Sequence, residues 1–185
     1  MVRAGRPEDA PHLPGLEVAA GERFRAVGLG AVADDEPWSA DEYRTLVAAG
    51  RIWVAEVAGR PVGYVLASDL GGHVHLDQLS VHPEHGGRGL GSALVEVVMG
   101  WARDRQATSV TLTTFRDVDW NGPWYERRGF TVDPTASSEP GLEPVVAWEA
   151  EHDFGAPRVW MRRRVDPADG ARVSTGGAPR STGLE

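Results

Sequence analysis

The sequence predicts an α/β (α+β) fold in which antiparallel hairpins precede a strand–helix–strand unit. Three observations predict it. Two β-branched runs, Ile52–Val57 and Val62–Ala67, are joined by the four-residue turn Ala58-Gly59-Arg60-Pro61, the signature of a hairpin. After Gly89, the residues Leu90, Ala93, Leu94, Val97, Val98 and Trp101 fall on one face of a long helix. A further β-branched run, Ser109–Thr114, follows that helix directly.

The remaining elements fit around these. Val2–Ala4 reads as a short first strand. Leu13, Leu16, Ala20, Phe24 and Val27 recur at near-helical spacing, and Pro14 is tolerated in a first turn. Ser39 and Glu42 form a capping box that opens a second helix, with Tyr43, Leu46 and Val47 as its apolar stripe and Gly50 as its stop. His73–Val81 is a long strand ended by His82-Pro83. Pro123–Arg128 predicts a short helix stopped by Gly129, and Phe130–Val132 a short strand. Thr135–Pro144 is expected to be a loop, Val145–His152 a short helix and Val159–Val165 the last strand. One domain over residues 1–165 is therefore expected, with residues 166–185, rich in Gly, Ser, Thr and Pro, as a disordered tail.

Composition narrows the chemistry. Cysteine is absent, which excludes disulfides, thiolate metal sites and any acyl-cysteine intermediate. All 19 basic Lys+Arg residues are arginine, so the protein has no lysine side chain of its own to modify. A net charge of −8 argues against a nucleic-acid partner. No apolar run approaches the ~20 residues of a membrane span, and the N-terminus carries acids where a secretory signal would have its apolar core. A cytoplasmic protein, monomeric or homodimeric and without membrane or nucleic-acid partners, is expected.

The most informative stretch is Leu79-Ser-Val-His-Pro-Glu-His-Gly-Gly-Arg-Gly-Leu-Gly-Ser-Ala-Leu94, in which a strand enters a glycine-rich turn that opens a helix. Glycines let the backbone approach a ligand closely, and a helix N-terminus favours phosphate. A P-loop is excluded because it needs a lysine. A dinucleotide fingerprint wants glycine where Ser92 stands, and an acid near the end of the next strand, where Thr111–Thr114 supplies none.

Gly86-Gly87-Arg88-Gly89-Leu90-Gly91 resembles the Arg/Gln-x-x-Gly-x-Gly/Ala signature of the GCN5-related N-acetyltransferase (GNAT) family, with Gly86 in place of the family's Arg or Gln. A second block agrees: Asn121-Gly-Pro-Trp-Tyr125-Glu-Arg-Arg-Gly129-Phe130 looks like the family's Asn…Tyr-Glu-x-x-Gly-Phe element, with a shorter Asn-to-Tyr spacing. The resemblance spans roughly residues 2 to 165. It implies a mixed, mostly antiparallel central sheet flanked by helices, with a splayed strand pair that holds acetyl-CoA, the acyl donor. It implies further that the backbone of Leu79 and Val81 pairs with the pantetheine arm and that the Leu79 N–H polarises the thioester carbonyl. The amides of Gly87, Arg88, Gly89, Leu90, Gly91, Ser92 and Ala93 would hold the pyrophosphate, with Gly86 a further cofactor contact at the start of the signature. Ser80, Asn121 and Tyr125 complete the expected cofactor contacts.

Acetyl transfer to an amine adds its own constraints. An alkylamine is almost wholly protonated at pH 7, so a base near the acceptor helps, and an acid should protonate the departing thiolate. Alternation along a strand puts His73, His75 and Asp77 on the same face as Leu79 and Val81. The arylalkylamine acetyltransferases of this family carry a histidine pair at what look like positions 75 and 77. His75 and Asp77 are therefore expected as base or water-mediated relay, and Tyr125 as general acid. The acceptor is expected to be a primary amine of a small molecule or peptide. A cationic molecule is one candidate, because Glu17, Glu22, Asp34, Asp35, Glu36, Asp41 and Glu42 on one side and Glu139, Glu143, Glu149 and Glu151 on the other could form an acidic funnel. Two other readings are a non-catalytic acyl-CoA-binding module and a metal-dependent hydrolase using His73, His75 and Asp77. The second lacks the final histidine of its motif, where Gln78 stands, and no metal is expected.

Overall fold

The computed structural model describes residues 1–152 and 154–166, so nearly all of the expected tail lies outside the described residues. Seven strands form one sheet: β1 (Val2–Ala4), β2 (Ile52–Val57), β3 (Arg60–Leu70), β4 (His73–Val81), β5 (Ser109–Phe115), β6 (Thr131–Val132) and β7 (Arg158–Arg164). Their spatial order is β1-β2-β3-β4-β5-β7-β6. Every neighbouring pair is antiparallel except β4 and β5, which are parallel. The reason is connectivity. Short turns join β2, β3 and β4, whereas β4 and β5 are joined by the helix α4 (Leu90–Asp104), a crossover that returns the chain in the same direction.

The sheet buries both faces. On one side α4 presents Leu94, Val95, Val98, Met99 and Ala102 to Val65, Ala67, Val74, Leu76 and Leu112. This stripe is centred one residue later than the periodicity suggests, so Ala93 is exposed. On the other side, α1 (Leu13–Gly21) and α3 (Ala40–Ala48) bury Leu13, Leu16, Tyr43 and Val47 against Ile52, Val54, Tyr64 and Leu66. The capping box is formed as expected: the Ser39 Oγ accepts from the Glu42 amide at 3.3 Å, and the Glu42 carboxylate accepts from the Ser39 amide at 2.8 Å.

Several expectations are corrected. The first long helix stops at Gly21 and continues as a 3-10 segment, Glu22–Val27, that leaves Val27 exposed. A 3-10 turn at Pro7–His12 and the four-residue α2 (Gly30–Ala33) carry no periodic stripe, and the sequence does not announce them. The expected loop at Thr135–Pro144 contains a 3-10 turn, Pro134–Ser138, and the start of α6 (Glu143–Glu151).

The correction with most consequence lies in β4. Leu66 pairs with Gln78 but Ala67 pairs with Leu76, so Asp77 is an extra residue, a β-bulge. A bulge shifts the alternation by one. Val74 and Leu76 pack in the α4-side core before it, and Leu79 and Val81 pack against that core after it. His73, His75 and Asp77 therefore do not share a face with Leu79 and Val81. They share the α1 side with Gln78 and Ser80.

Candidate active site

β4 and β5 pair only at Val74–Val110 and His75–Thr111, and beyond that point they diverge. The gap between them widens into a cleft of about 1020 Å³ that crosses the molecule from α1 to the glycine-rich turn. Its backbone lining follows from register. The His82 amide donates to the Val62 carbonyl at 2.9 Å, which makes Val62 and His82 a hydrogen-bonded position of the antiparallel ladder. Alternation then makes Ser80 and Gln78 hydrogen-bonded to β3 and leaves Val81 and Leu79 unbonded to it. The amides and carbonyls of Leu79 and Val81 thus face the gap, where β5 has already left. A ligand that lies as an extended strand can take them.

The far end of the cleft is the turn between β4 and α4. Gly87 and Gly89 hold φ of +71° and +78°, conformations that suit glycine, whereas Gly86 is extended and needs no glycine for its φ. Gly89 caps α4, so the amides of Gly89, Leu90, Gly91 and Ser92 lack intrahelical acceptors. The Ala93 amide does not belong to this set, because it donates to the Gly89 carbonyl at 3.0 Å. Among the expected cofactor contacts, Leu79, Ser80, Val81, Gly86, Gly87, Gly89, Leu90, Gly91, Ser92, Asn121 and Tyr125 line the cleft. Arg88 and Ala93 are exposed and stand outside its wall. The Ser80 side chain is buried and accepts from the Gln78 amide group at 3.0 Å.

A cation that the sequence reading missed stands where Arg88 was expected to act. Arg128 lies over the Trp124 ring at 3.4 Å and donates to the Ser92 hydroxyl and the Trp124 carbonyl, each at 2.8 Å. Trp124 in turn packs against Gly91, where an added Cβ would sit 3.2 Å from its ring. The signal was available as the second arginine of Tyr125-Glu-Arg-Arg-Gly129, but helix packing was needed to bring it to the phosphate loop.

α5 (Gly122–Glu126) closes the donor side. Asn121 stands at its N-terminus, its Oδ1 accepting from the Thr114 hydroxyl at 2.9 Å and its buried Nδ2 without a partner among the described residues. One turn on, Tyr125 is buried between Trp124 and Phe130 and still lines the cleft. Burial pushes its phenol well above the ordinary value, so it stays protonated at any working pH.

His75 and Asp77 sit where the two strands part. The His75 Nδ1 lies 3.0 Å from the Thr111 hydroxyl, which is itself 3.4 Å from the Val74 carbonyl, so this contact fixes the orientation of the ring. Burial holds this imidazole down at about 4, so it is neutral at pH 7. Asp77 behaves oppositely. Its side chain is 23% exposed, and burial raises the carboxyl to about 6 although the Ser68 hydroxyl, at 2.6 Å, and Arg51, at 3.5 Å, both favour the ion. His73 faces Glu139, not His75 or Asp77. The three side chains engage three different partners, and among the described residues no group of three or more His, Asp or Glu converges as a metal site.

The acidic funnel largely dissolves. Asp34 and Glu22 pair with Arg25, Asp41 with Arg44, Glu139 with Arg162 and Glu149 with Arg158, while Glu42 caps a helix. Of the acids singled out, only Glu17 and Asp35 line the cleft.

A splayed β4–β5 pair, free strand amides and a helix terminus suited to phosphate define an acyltransferase-type fold whose gap can take a strand-like ligand. The chain belongs to the acetyltransferase (GNAT) family, whose model matches residues 17–130. Among relatives, N-acetyltransferase family 8 member 2 of Rattus norvegicus is 40% identical over 75 residues, covering 37% of this chain and 33% of the relative. N-acetyltransferase 8F1 of the same species is 39% identical over 75 residues, covering 37% and 34%. The matched region thus spans about a third of the length of these relatives. Among solved structures, Ard1 from Thermoplasma volcanium superposes with a TM-score of 0.65 at 18% identity, covering 89% of this chain and 97% of that one. The PaiA N-acetyltransferase from Thermoplasma acidophilum, solved with coenzyme A, gives 0.66 at 14% identity, covering 89% and 98%. These two share the fold. Among the described residues, no helix is long and apolar enough to cross a membrane.

Proposed function

We propose that the protein transfers an acetyl group from acetyl-CoA directly to a primary amine. The observation that carries this reading is the open edge of β4: the groups of Leu79 and Val81 face the gap, and the same gap ends on the free amides of Gly89 to Ser92. That geometry matches a donor with an amide-bearing arm and a pyrophosphate. The residues present also fit it in detail. Asn121 offers a buried donor with no partner among the described residues, Arg128 is held beside Ser92, and a Cβ at Gly91 would crowd Trp124 at 3.2 Å.

In this reading the Leu79 N–H polarises the thioester carbonyl. The amine nitrogen attacks the carbonyl carbon, a C–N bond forms and the C–S bond breaks. Asp77, ionised above pH 6, accepts the proton released by the amine, and the neutral His75, which also lines the cleft, is the second member of a water-mediated relay. Tyr125, protonated throughout, donates its proton to the thiolate. Gln78 and Ser80, on the face of Asp77, are polar neighbours for the acceptor.

The test is a thermal-shift titration. Acetyl-CoA at millimolar concentration should raise Tm, since ligand at about 100 times its Kd adds roughly 2.7 kcal/mol, whereas NADH and ATP should do far less. No shift with any CoA species would remove the donor from this reading.

A further inference from the structure

The acceptor's chemistry follows from the charge that the cleft leaves uncompensated. Three arginines line it: Arg23, Arg128 and Arg158. Arg158 is held by both oxygens of Glu149, at 2.7 and 2.8 Å, between the rings of Phe115 and Phe154. Arg128 is fixed at the phosphate loop. Arg23 is different. Among the described residues it has no acidic partner within ion-pair distance, and its guanidinium lies over the Trp120 ring, 4.1 Å from the centroid. Arg23 is an exposed residue in the cleft wall, so its guanidinium is open to a ligand, and the part of it that is covered disfavours the charge. A stacked guanidinium keeps its N–H edge free, and that planar fork matches a carboxylate. The Trp120 Nε1–H is buried and has no acceptor among the described residues.

The rest of the acceptor half carries the opposite sign and an apolar mouth. Glu17 receives the hydroxyls of Tyr43 and Tyr64 on its Oε2, and its Oε1 has no partner among the described residues. Asp35 lines the same region without an ion pair among the described residues. Of the large apolar residues left exposed, Val18, Trp38 and Trp148, at 42%, 43% and 43%, line the cleft. Separated acids and a free guanidinium suit a zwitterion. The apolar mouth suits a hydrophobic group attached to it.

We propose that Arg23, stacked on Trp120, anchors a carboxylate of the acceptor, so that the amine acetylated belongs to an apolar amino acid or amino-acid conjugate. This rests on the acetyl-transfer reading above. It disfavours polyamines and aminoglycosides, which offer no carboxylate and meet an uncompensated cation.

The experiment follows CoA release from acetyl-CoA with leucine, phenylalanine and tryptophan, each paired with its carboxamide, and with spermidine. Acetyl-CoA binding is measured in parallel by thermal shift. The wild type should prefer the acid over its amide by roughly 10- to 150-fold in kcat/KM, the usual worth of a charged hydrogen bond. Arg23→Gln should bring the acid-to-amide ratio to about one, and Arg23→Lys should restore part of it, with acetyl-CoA still raising the Tm of both variants. Amides or spermidine turned over as well as the acids would overturn the proposal. So would a ratio unchanged in Arg23→Gln, or no turnover of any acid while acetyl-CoA binds normally. Failure of acetyl-CoA to bind would remove the donor reading and this proposal with it.

Discussion

Asp77→Asn should make the protein more stable and less active, and the pH dependence of the gain identifies its cause. Burial raises the Asp77 carboxyl from 3.8 to about 6, net of its favourable contacts with Ser68 and Arg51. A folded-state value above the unfolded one means that the native state binds the extra proton between those two values, so stability falls as pH rises through the window. Two units at about 1.4 kcal/mol each would cost roughly 3 kcal/mol for a fully buried carboxyl; Asp77 is partly exposed, and solvent screening brings this to about 1–2 kcal/mol, fully present above pH 6 and nearly gone at pH 4. Asparagine keeps the acceptor for the Ser68 hydroxyl and has no charge to desolvate. At roughly 2–4 °C per kcal/mol for a chain of this size, Tm at pH 8 should rise by about 2–8 °C, and at pH 4 by at most about 1 °C. His75 titrates in the opposite sense, destabilising the fold as pH falls from 6.5 toward its value of about 4. Only the difference between variant and wild type isolates Asp77. The assay is calorimetric unfolding at pH 4, 6 and 8, paired with kcat/KM for the amine, which should drop about 10²-fold or more. A variant no more stable than wild type at pH 8, or equally stabilised at pH 4, would refute the buried-charge account. Unchanged kcat/KM would refute the base.

Tyr125→Phe should lower kcat by about 10²-fold, the low end for general-acid help because a thiolate is a fair leaving group, while leaving acetyl-CoA binding nearly intact. Equal kcat across pH 6–9 in steady-state assays would make Tyr125 a core residue only. Gly89→Val places a branched side chain at a φ of +78° and should weaken CoA binding sharply in a calorimetric titration, whereas Gly86→Arg should leave it unchanged or improve it. The Gly86 position is extended and its Cβ would meet only the Pro83 carbonyl, at 3.1 Å. A large loss from Gly86→Arg would mean that this turn does not follow the family's register.

The strands and helices with strong local signals were legible in the sequence. His73–Val81 has the predicted bounds, Ser39 and Glu42 cap α3, and α4 opens at Gly89. The turn glycines were legible because positive φ and helix capping are local properties of a few residues. The facing of β4 was not. Alternation assumes an unbroken pleat, and the bulge at Asp77 depends on how β3 pairs with β4, which no single-strand pattern encodes. Arg128 and Arg23 were missed for a related reason. Each gains its role from an aromatic ring and its surroundings: Arg128 lies on Trp124 beside Ser92, and Arg23 lies on Trp120 with no acidic partner among the described residues. The acidic funnel failed because the sequence shows acids without their arginine partners: five of the eleven pair with arginine, and only Glu17 and Asp35 line the cleft.

The central claim is direct acetyl transfer in the β4–β5 gap, and mass spectrometry tests it most directly. The purified protein is mixed with acetyl-CoA bearing a labelled acetyl group, with and without leucine, phenylalanine and tryptophan, and both small molecules and protein are analysed over time. The account predicts labelled N-acetyl amino acid formed in step with free CoA, CoA release that depends on the amine, and a protein whose mass never increases by an acetyl group during turnover. CoA released at the same rate without any amine, or label accumulating on the protein ahead of product, would contradict it.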